Sequence, residues 1–132
     1  YDYSSKSEAS FLNWVVDSLT QEKEINVVED QWNNPTWTGS LAVVIDRAID
    51  TQLTGLVHWG DGDLVSRFDF ANKIADVFNL KKSLIKPILT SELNQTAKRP
   101  LKSGLKSDYA QNILNLEPPT IKECLETIVE QK

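Results

Sequence analysis

The chain has 132 residues, enough for one domain with a core of its own and too few for two. Fourteen basic residues against nineteen acidic ones leave a net charge of -5, which argues against broad binding to nucleic acid or to an anionic membrane, because both need a positive surface. The apolar fraction of 40% and charged fraction of 25% are those of an ordinary globular protein. No apolar run approaches the roughly 18 residues of a membrane span, and the start lacks a signal-peptide pattern.

Phe11, Trp14, Val15 and Leu19 recur at helical spacing, so residues 8–20 are expected to form an amphipathic helix. Residues 25–29 are short and β-branched, a strand pattern, and Asn33-Asn34-Pro35 then breaks the chain. A second helix is expected over 39–51, with Thr38 as its cap and Leu41, Val44, Ile45, Ala48 and Ile49 on one face. Residues 55–59, Gly-Leu-Val-His-Trp, read as a strand, and Gly60-Asp61-Gly62-Asp63 as a turn.

The next helix starts with a capping box, Ser66 and Asp69, with Val65 and Phe70 at staple spacing. Ala71, Ile74, Val77 and Phe78 continue its apolar face. Residues 84–89 suggest a strand that Pro87 confines to a sheet edge. Residues 90–103 lack a period and form a long polar loop of the kind that carries function. Ser107 is placed to cap a short helix with Tyr109 and Ile113. Thr120 and Glu123 open a final helix whose face is Ile121, Cys124, Leu125, Ile128 and Val129. The order gives a mixed α/β (α+β) domain with about five helices and few, short strands. So few strands make a weak independent sheet, and the helical faces call for a neighbour.

The sequence contains no Met and opens on Tyr1-Asp2-Tyr3, which suggests a fragment or a processed chain. The single cysteine, Cys124, cannot form an internal disulfide, in keeping with a reducing compartment. Gly60-Asp61-Gly62 lies between a strand and a helix, but Val65 stands at the third glycine position and Asp61 and Asp63 would repel a pyrophosphate. A calcium loop fails because Asn72 occupies the position of the bidentate Glu. No Tyr has Lys four residues on; Tyr3 and Lys6 are three apart and read as surface residues. His58 and Cys124 make a poor zinc set; His58 reads as a hydrogen-bonded strand residue and Cys124 as a small core residue. Of the four tryptophans, Trp14 and Trp59 fit core faces. Trp32 and Trp37 flank the Pro35 turn, where they suit either an aromatic wall for a sugar or base or packing against another domain.

Charge is uneven. Lys81, Lys82, Lys86, Lys98, Arg99, Lys102 and Lys106 occupy one stretch with Glu92 as the sole acid among them. This reads as a solvated face or as a site for a small anion such as a diphosphate.

The segment Glu29-Asp30-Gln31-Trp32-Asn33-Asn34-Pro35-Thr36 resembles the Asp-Gln-x-x-x-Pro-Thr motif of the dTDP-4-dehydrorhamnose reductases. Gly55-Leu56-Val57-His58, Ser66-Arg67-Phe68-Asp69-Phe70-Ala71 and Ala97-Lys98-Arg99-Pro100 with Ser103 and Leu105 are similar to further segments of that family, in the same order. The likeness runs from about Phe11 to the end. Ser10, Lys102 and Lys106 depart from it, standing where the family commonly has Asn, Asn and Asp.

The resemblance implies a C-terminal substrate-binding domain over residues 1–132, part of a cytoplasmic Rossmann-type reductase of the extended short-chain dehydrogenase/reductase superfamily. It implies a separate N-terminal NAD(P)-binding Rossmann domain that would hold NADPH or NADH and the Tyr/Lys pair, with no cofactor, metal or catalytic residue on this chain. The partner it implies is a nucleotide sugar, and the candidate substrate-binding residues are Gln31 for a hydrogen bond, Trp32 for stacking and Arg99 for the diphosphate. Asp30, Pro35 and Thr36 equally suit a plain strand-to-helix turn. Three other readings stand beside this one: a nucleotide-sugar epimerase or dehydratase, a non-catalytic regulatory subunit like the methionine adenosyltransferase beta subunit, and a stand-alone module whose apolar faces make a homo-oligomer.

Overall fold

The computed structural model describes residues 1–3, 10–93 and 97–131, and positions 6, 8 and 9 of the sequence expectations fall outside them. Helix α1 is Phe11–Thr20, strand β1 Ile25–Val28, strand β2 Trp32–Asn33 and helix α2 Thr38–Asp50. Strand β3, Val65–Ser66, leads into helix α3, Arg67–Val77. Strand β4 is Ile85–Ile88, and helices α4, Asp108–Leu114, and α5, Ile121–Glu130, complete the order, with single 3-10 turns at Lys82–Leu84 and Thr90–Glu92. The mixed α/β class and the five helices are as the sequence implied.

Two small sheets hold the strands. β1 and β4 run parallel, Ile25 opposite Ile85 and Val28 opposite Ile88, with Pro87 opposite Val27 at the edge where a missing N–H costs least. β2 and β3 run antiparallel, Trp32 opposite Ser66 and Asn33 opposite Val65. The main core lies where α1, α3 and α5 meet the first sheet: Leu12, Val15, Leu19, Ile25, Phe70, Ile74, Ile85, Ile121 and Leu125 are all buried there. Burying one such aliphatic side chain contributes about 1.5–3 kcal/mol, so this cluster dominates stability. A second cluster joins Val44 of α2 to Ala110 and Leu114 of α4, with Val57 and Trp59 packed beside them.

The capping boxes form as the sequence implied. Asp69 N–H donates to the Ser66 hydroxyl at 3.0 Å and Ser66 N–H to the Asp69 carboxylate at 3.3 Å. Thr120 and Glu123 repeat the device at α5. Four helices end on a non-glycine residue in the left-handed region: Glu22 after α1 (φ 55°), Gln52 after α2 (φ 51°), Asn79 after α3 (φ 54°) and Asn115 after α4 (φ 51°). In each, the N–H of the following residue returns to the carbonyl five residues earlier: Lys23 to Ser18, Leu53 to Ala48, Leu80 to Ala75 and Leu116 to Gln111.

Several sequence expectations are corrected. Trp14 is 40% exposed; α1 instead buries Leu12, Asn13, Val15, Val16 and Leu19. Thr38 is the first residue of α2 rather than its cap, and its hydroxyl donates to Asp2 at 2.8 Å. Of the expected α2 face only Val44 is buried, while Leu41, Ile45 and Ile49 point outward because no described element covers them. Residues 55–59 form no strand, having no ladder partner among the described residues. His58 accordingly lies exposed in that segment, with no hydrogen bond to a described residue. Ser107 does not cap α4: its hydroxyl donates to Gly60 O and accepts Gly60 N–H, both at 2.9 Å. Tyr109 and Ile113 are in α4 but exposed, as is Val129 in α5.

Candidate functional site

The residues singled out from sequence lie around β2, and the fold brings the long loop to them. Trp32 N–H donates to Leu101 O at 2.7 Å and Ser103 N–H donates to Trp32 O at 2.9 Å. These bonds make a parallel bridge between Trp32 and Lys102, so residues 101–103 run as a strap along β2. On its other edge β2 pairs with β3, whose next residue is Arg67.

Asp30 anchors one side. Its carboxylate accepts the Thr90 N–H at 3.0 Å and the Thr90 hydroxyl at 2.6 Å, and the hydroxyl bond first of all holds this carboxyl below the usual carboxylate range. Gln31 is buried. Its side-chain amide donates to the same Thr90 hydroxyl at 3.1 Å, and its carbonyl accepts Arg67 N–H at 3.1 Å. Gln31 therefore ties the β1–β2 corner to the segment after β4. Arg99 is exposed and lines a cleft of about 480 Å³ with Asp30, Thr90, Ser91, Leu93 and Lys98. Trp32, 38% exposed, lines a different cleft of about 570 Å³ with Leu64, Lys102, Leu105 and Lys106. The strap thus separates two clefts, with Arg99 at one and Trp32 at the other. Trp37, the other tryptophan of the turn, packs on the main core.

The positive stretch divides in two. Lys81, Lys82 and Lys86 pair with Glu22, Asp76 and Glu24 and belong to a solvated face. Lys98, Arg99, Lys102 and Lys106 make no ion pair among the described residues. Arg67 joins them. Its guanidinium lies over the Phe11 ring at 5.2 Å and has no carboxylate partner among the described residues. Burial, then the nearby charge of Arg99, pulls its pKa below the ordinary arginine value. These five cations make no ion pair among the described residues, and the Asp30 carboxylate lines the cleft that Lys98 and Arg99 share. Arg67 was not counted with the basic stretch because it lies fourteen residues before Lys81 and thirty-one before Lys98; β2–β3 pairing is what brings it near.

Asp61, read from sequence as a turn residue, is almost fully buried and organises the region from below. It accepts Trp37 N–H at 2.8 Å and the Ser40 hydroxyl at 2.7 Å, placing a carboxylate at the N-terminus of α2. The Trp59 indole N–H and the Cys124 thiol also point to it, at 3.3 and 3.9 Å. Asn34 links this hub to the strap, donating to Asp61 O and accepting Leu105 N–H, both at 2.9 Å. With Asp61 so engaged, the Gly60–Gly62 loop offers no cradle for a dinucleotide. The described residues hold no cluster of three or more His, Cys, Asp or Glu able to take a metal ion, and none of their helices is long and apolar enough to cross a membrane.

Comparison with known proteins agrees with this fold. A crystal structure of dTDP-4-dehydrorhamnose reductase from Bacillus anthracis, in complex with NADP, superposes with a TM-score of 0.86 at 31% identity, covering 96% of this chain and 45% of that one. A probable low-salt glycan biosynthesis reductase of Haloferax volcanii is 26% identical over 115 residues, 87% of this chain and 38% of its own length. The methionine adenosyltransferase 2 subunit beta of Pongo abelii is 29% identical over 111 residues, 80% of this chain and 33% of its own length. The chain therefore spans less than half the length of these relatives. The model of the RmlD substrate binding domain matches residues 2–132, and the chain belongs to that family.

Proposed function

We propose that this chain is the sugar-nucleotide-holding half of an NAD(P)H-dependent reductase of the dTDP-4-dehydrorhamnose reductase type. The observation that carries the reading is the group of unpaired cations, Arg67, Lys98, Arg99, Lys102 and Lys106, gathered beside exposed Trp32 by the 101–103 strap. A nucleotide sugar offers what such a surface lacks: a diphosphate for the guanidiniums and rings for the indole. Arg99 contacts the diphosphate. Gln31 holds the floor of the site through Thr90 and retains a carbonyl-type oxygen for a ligand hydroxyl.

Hydride transfer needs a nicotinamide and a proton donor, which the described residues do not supply. We assign both to an N-terminal nucleotide-binding domain. The docking face is the outward side of α2, with Val43 and Ile49 56% and 70% exposed, continued by the extended segment around Leu56. A β-prone segment without a ladder partner beside an uncovered apolar helix suits the edge of another sheet.

Titration calorimetry with dTDP-glucose tests the reading. Arg99→Ala is expected to weaken binding by at least about tenfold, the scale of a lost charge-assisted contact. Unchanged affinity would remove Arg99 from the site. A regulatory-subunit reading, favoured by the likeness to the methionine adenosyltransferase subunit, would keep the fold and lose the nucleotide-sugar binding.

A further inference from the structure

The cleft on the Trp32 side of the strap has features that a neutral sugar does not explain. Its walls are apolar: the Trp32 ring, Leu64 and Leu105, the two leucines 57% and 46% exposed. At about 570 Å³ it lies in the ordinary range for small-molecule sites. Its shape is built rather than incidental. A Cβ at position 104 would stand 2.6 Å from Leu64 Cδ1 and 2.9 Å from Asn34 Oδ1, so a larger residue there would have to push these side chains aside.

Two cations line this apolar cleft, Lys102 and Lys106, and no carboxylate lines it. Neither lysine has an acidic partner among the described residues, a state they share with Lys23 and Lys98, whereas Lys73, Lys81, Lys82, Lys86 and Lys122 each meet one. Trp32 and Lys102 are bridge partners, which puts their side chains on the same side of the strap. Arg99 lies three residues upstream, within about 11 Å along an extended chain. A ligand held by its diphosphate at Arg99 can therefore reach across the strap to Trp32.

We propose that this cleft is the sugar subsite and that Lys102 and Lys106 select a sugar ring carrying a negative charge, a carboxylate on the pyranose. The inference rests on the sugar-nucleotide reading above. The apolar face of the ring packs on Trp32, and its carboxylate lies between the two ammonium groups in charge-assisted contact.

The test is titration calorimetry of the protein with dTDP-glucose and dTDP-glucuronic acid, which differ only in the charged group on the sugar, at fixed salt. The wild type is expected to bind the uronate at least about tenfold more tightly, one charge-assisted contact's worth. In K102Q/K106Q the preference falls to about unity, uronate affinity dropping by more than dTDP-glucose affinity; both lysines are exposed, so the fold tolerates the change. Trp32→Ala lowers both affinities together. Equal affinities in the wild type, or a preference that survives K102Q/K106Q, overturn the inference. If R99A abolishes binding of both ligands in either case, the sugar-nucleotide reading stands without it. If neither ligand binds the wild type, both fall.

Discussion

The Asp61 carboxylate accepts the Ser40 hydroxyl at 2.7 Å, across twenty-one positions of chain and with both residues buried. The same carboxylate takes Trp37 N–H, so a loop residue supplies the N-terminal cap that α2 lacks in its own sequence. Asp61→Ala would take away the acceptor of Trp37 N–H and leave the Ser40 hydroxyl with Trp37 O alone, at 2.9 Å. We expect a loss of about 3 kcal/mol in chemical denaturation. Asp61→Asn, which keeps one acceptor, should lose less. Equal stability of Asp61→Ala and the parent protein would show that the hub contributes nothing.

The left-handed residues after four helices give a prediction of opposite sign. Gln52 is exposed at φ 51°, a conformation that costs a side chain more than it costs glycine. Gln52→Gly is expected to raise unfolding free energy by about 0.5–1 kcal/mol. Asn79 already suits the region, so Asn79→Gly should gain less. Thermal melts of the two variants side by side decide it.

Cys124 is buried in α5, and burial pushes its thiol up to about 11. Burial also pushes the Tyr1 phenol up, with the Cys124 and Asp61 charges adding to it. For both groups the folded-state pKa lies above the unfolded one. Their contribution to stability is thus complete below the unfolded thiol value near 9 and is lost as pH rises through the folded one. The midpoint of urea unfolding should fall between pH 9 and 11 and fall less in Cys124→Ala, and the native thiol should resist a disulfide reagent at pH 8. A flat midpoint across that window contradicts the assignment.

Much of the fold was readable because its signals are local. The Ser66–Asp69 and Thr120–Glu123 boxes are each four residues long, and their reciprocal bonds form without help from elsewhere. The candidate site was half readable. Gln31, Trp32 and Arg99 could be picked from order and chemistry, but their grouping depends on the Trp32–Leu101 and Trp32–Ser103 bonds, which join positions some seventy residues apart. The failures share a cause. Residues 55–59 and the α2 face have strand and helix patterns whose partners are absent from the described residues, so pattern and burial disagree there. Asp61 and Ser107 were misjudged because each spends its side chain on a distant backbone group rather than on its own turn or helix.

That disagreement at α2 is itself testable. Val43→Lys with Ile49→Lys changes only exposed positions, so stability should move by less than about 0.5 kcal/mol. The proposed docking face would be spoiled. Sedimentation velocity should show concentration-dependent association of the parent chain and a monomer for the double variant. A parent chain that stays monomeric at every concentration would count against a sticky face.

On the proposed reading a nucleotide sugar spans the 101–103 strap, from Arg99 on one side to Trp32 on the other. The most direct measurement is a ¹⁵N–¹H spectrum of the protein titrated with dTDP-glucose. The account predicts shifts at the Trp32 indole, Thr90, Arg99 and the 101–106 amides. Shifts confined to the α3–α5 cleft lined by Val77, Lys122 and Val129, or no shifts at all, would contradict it.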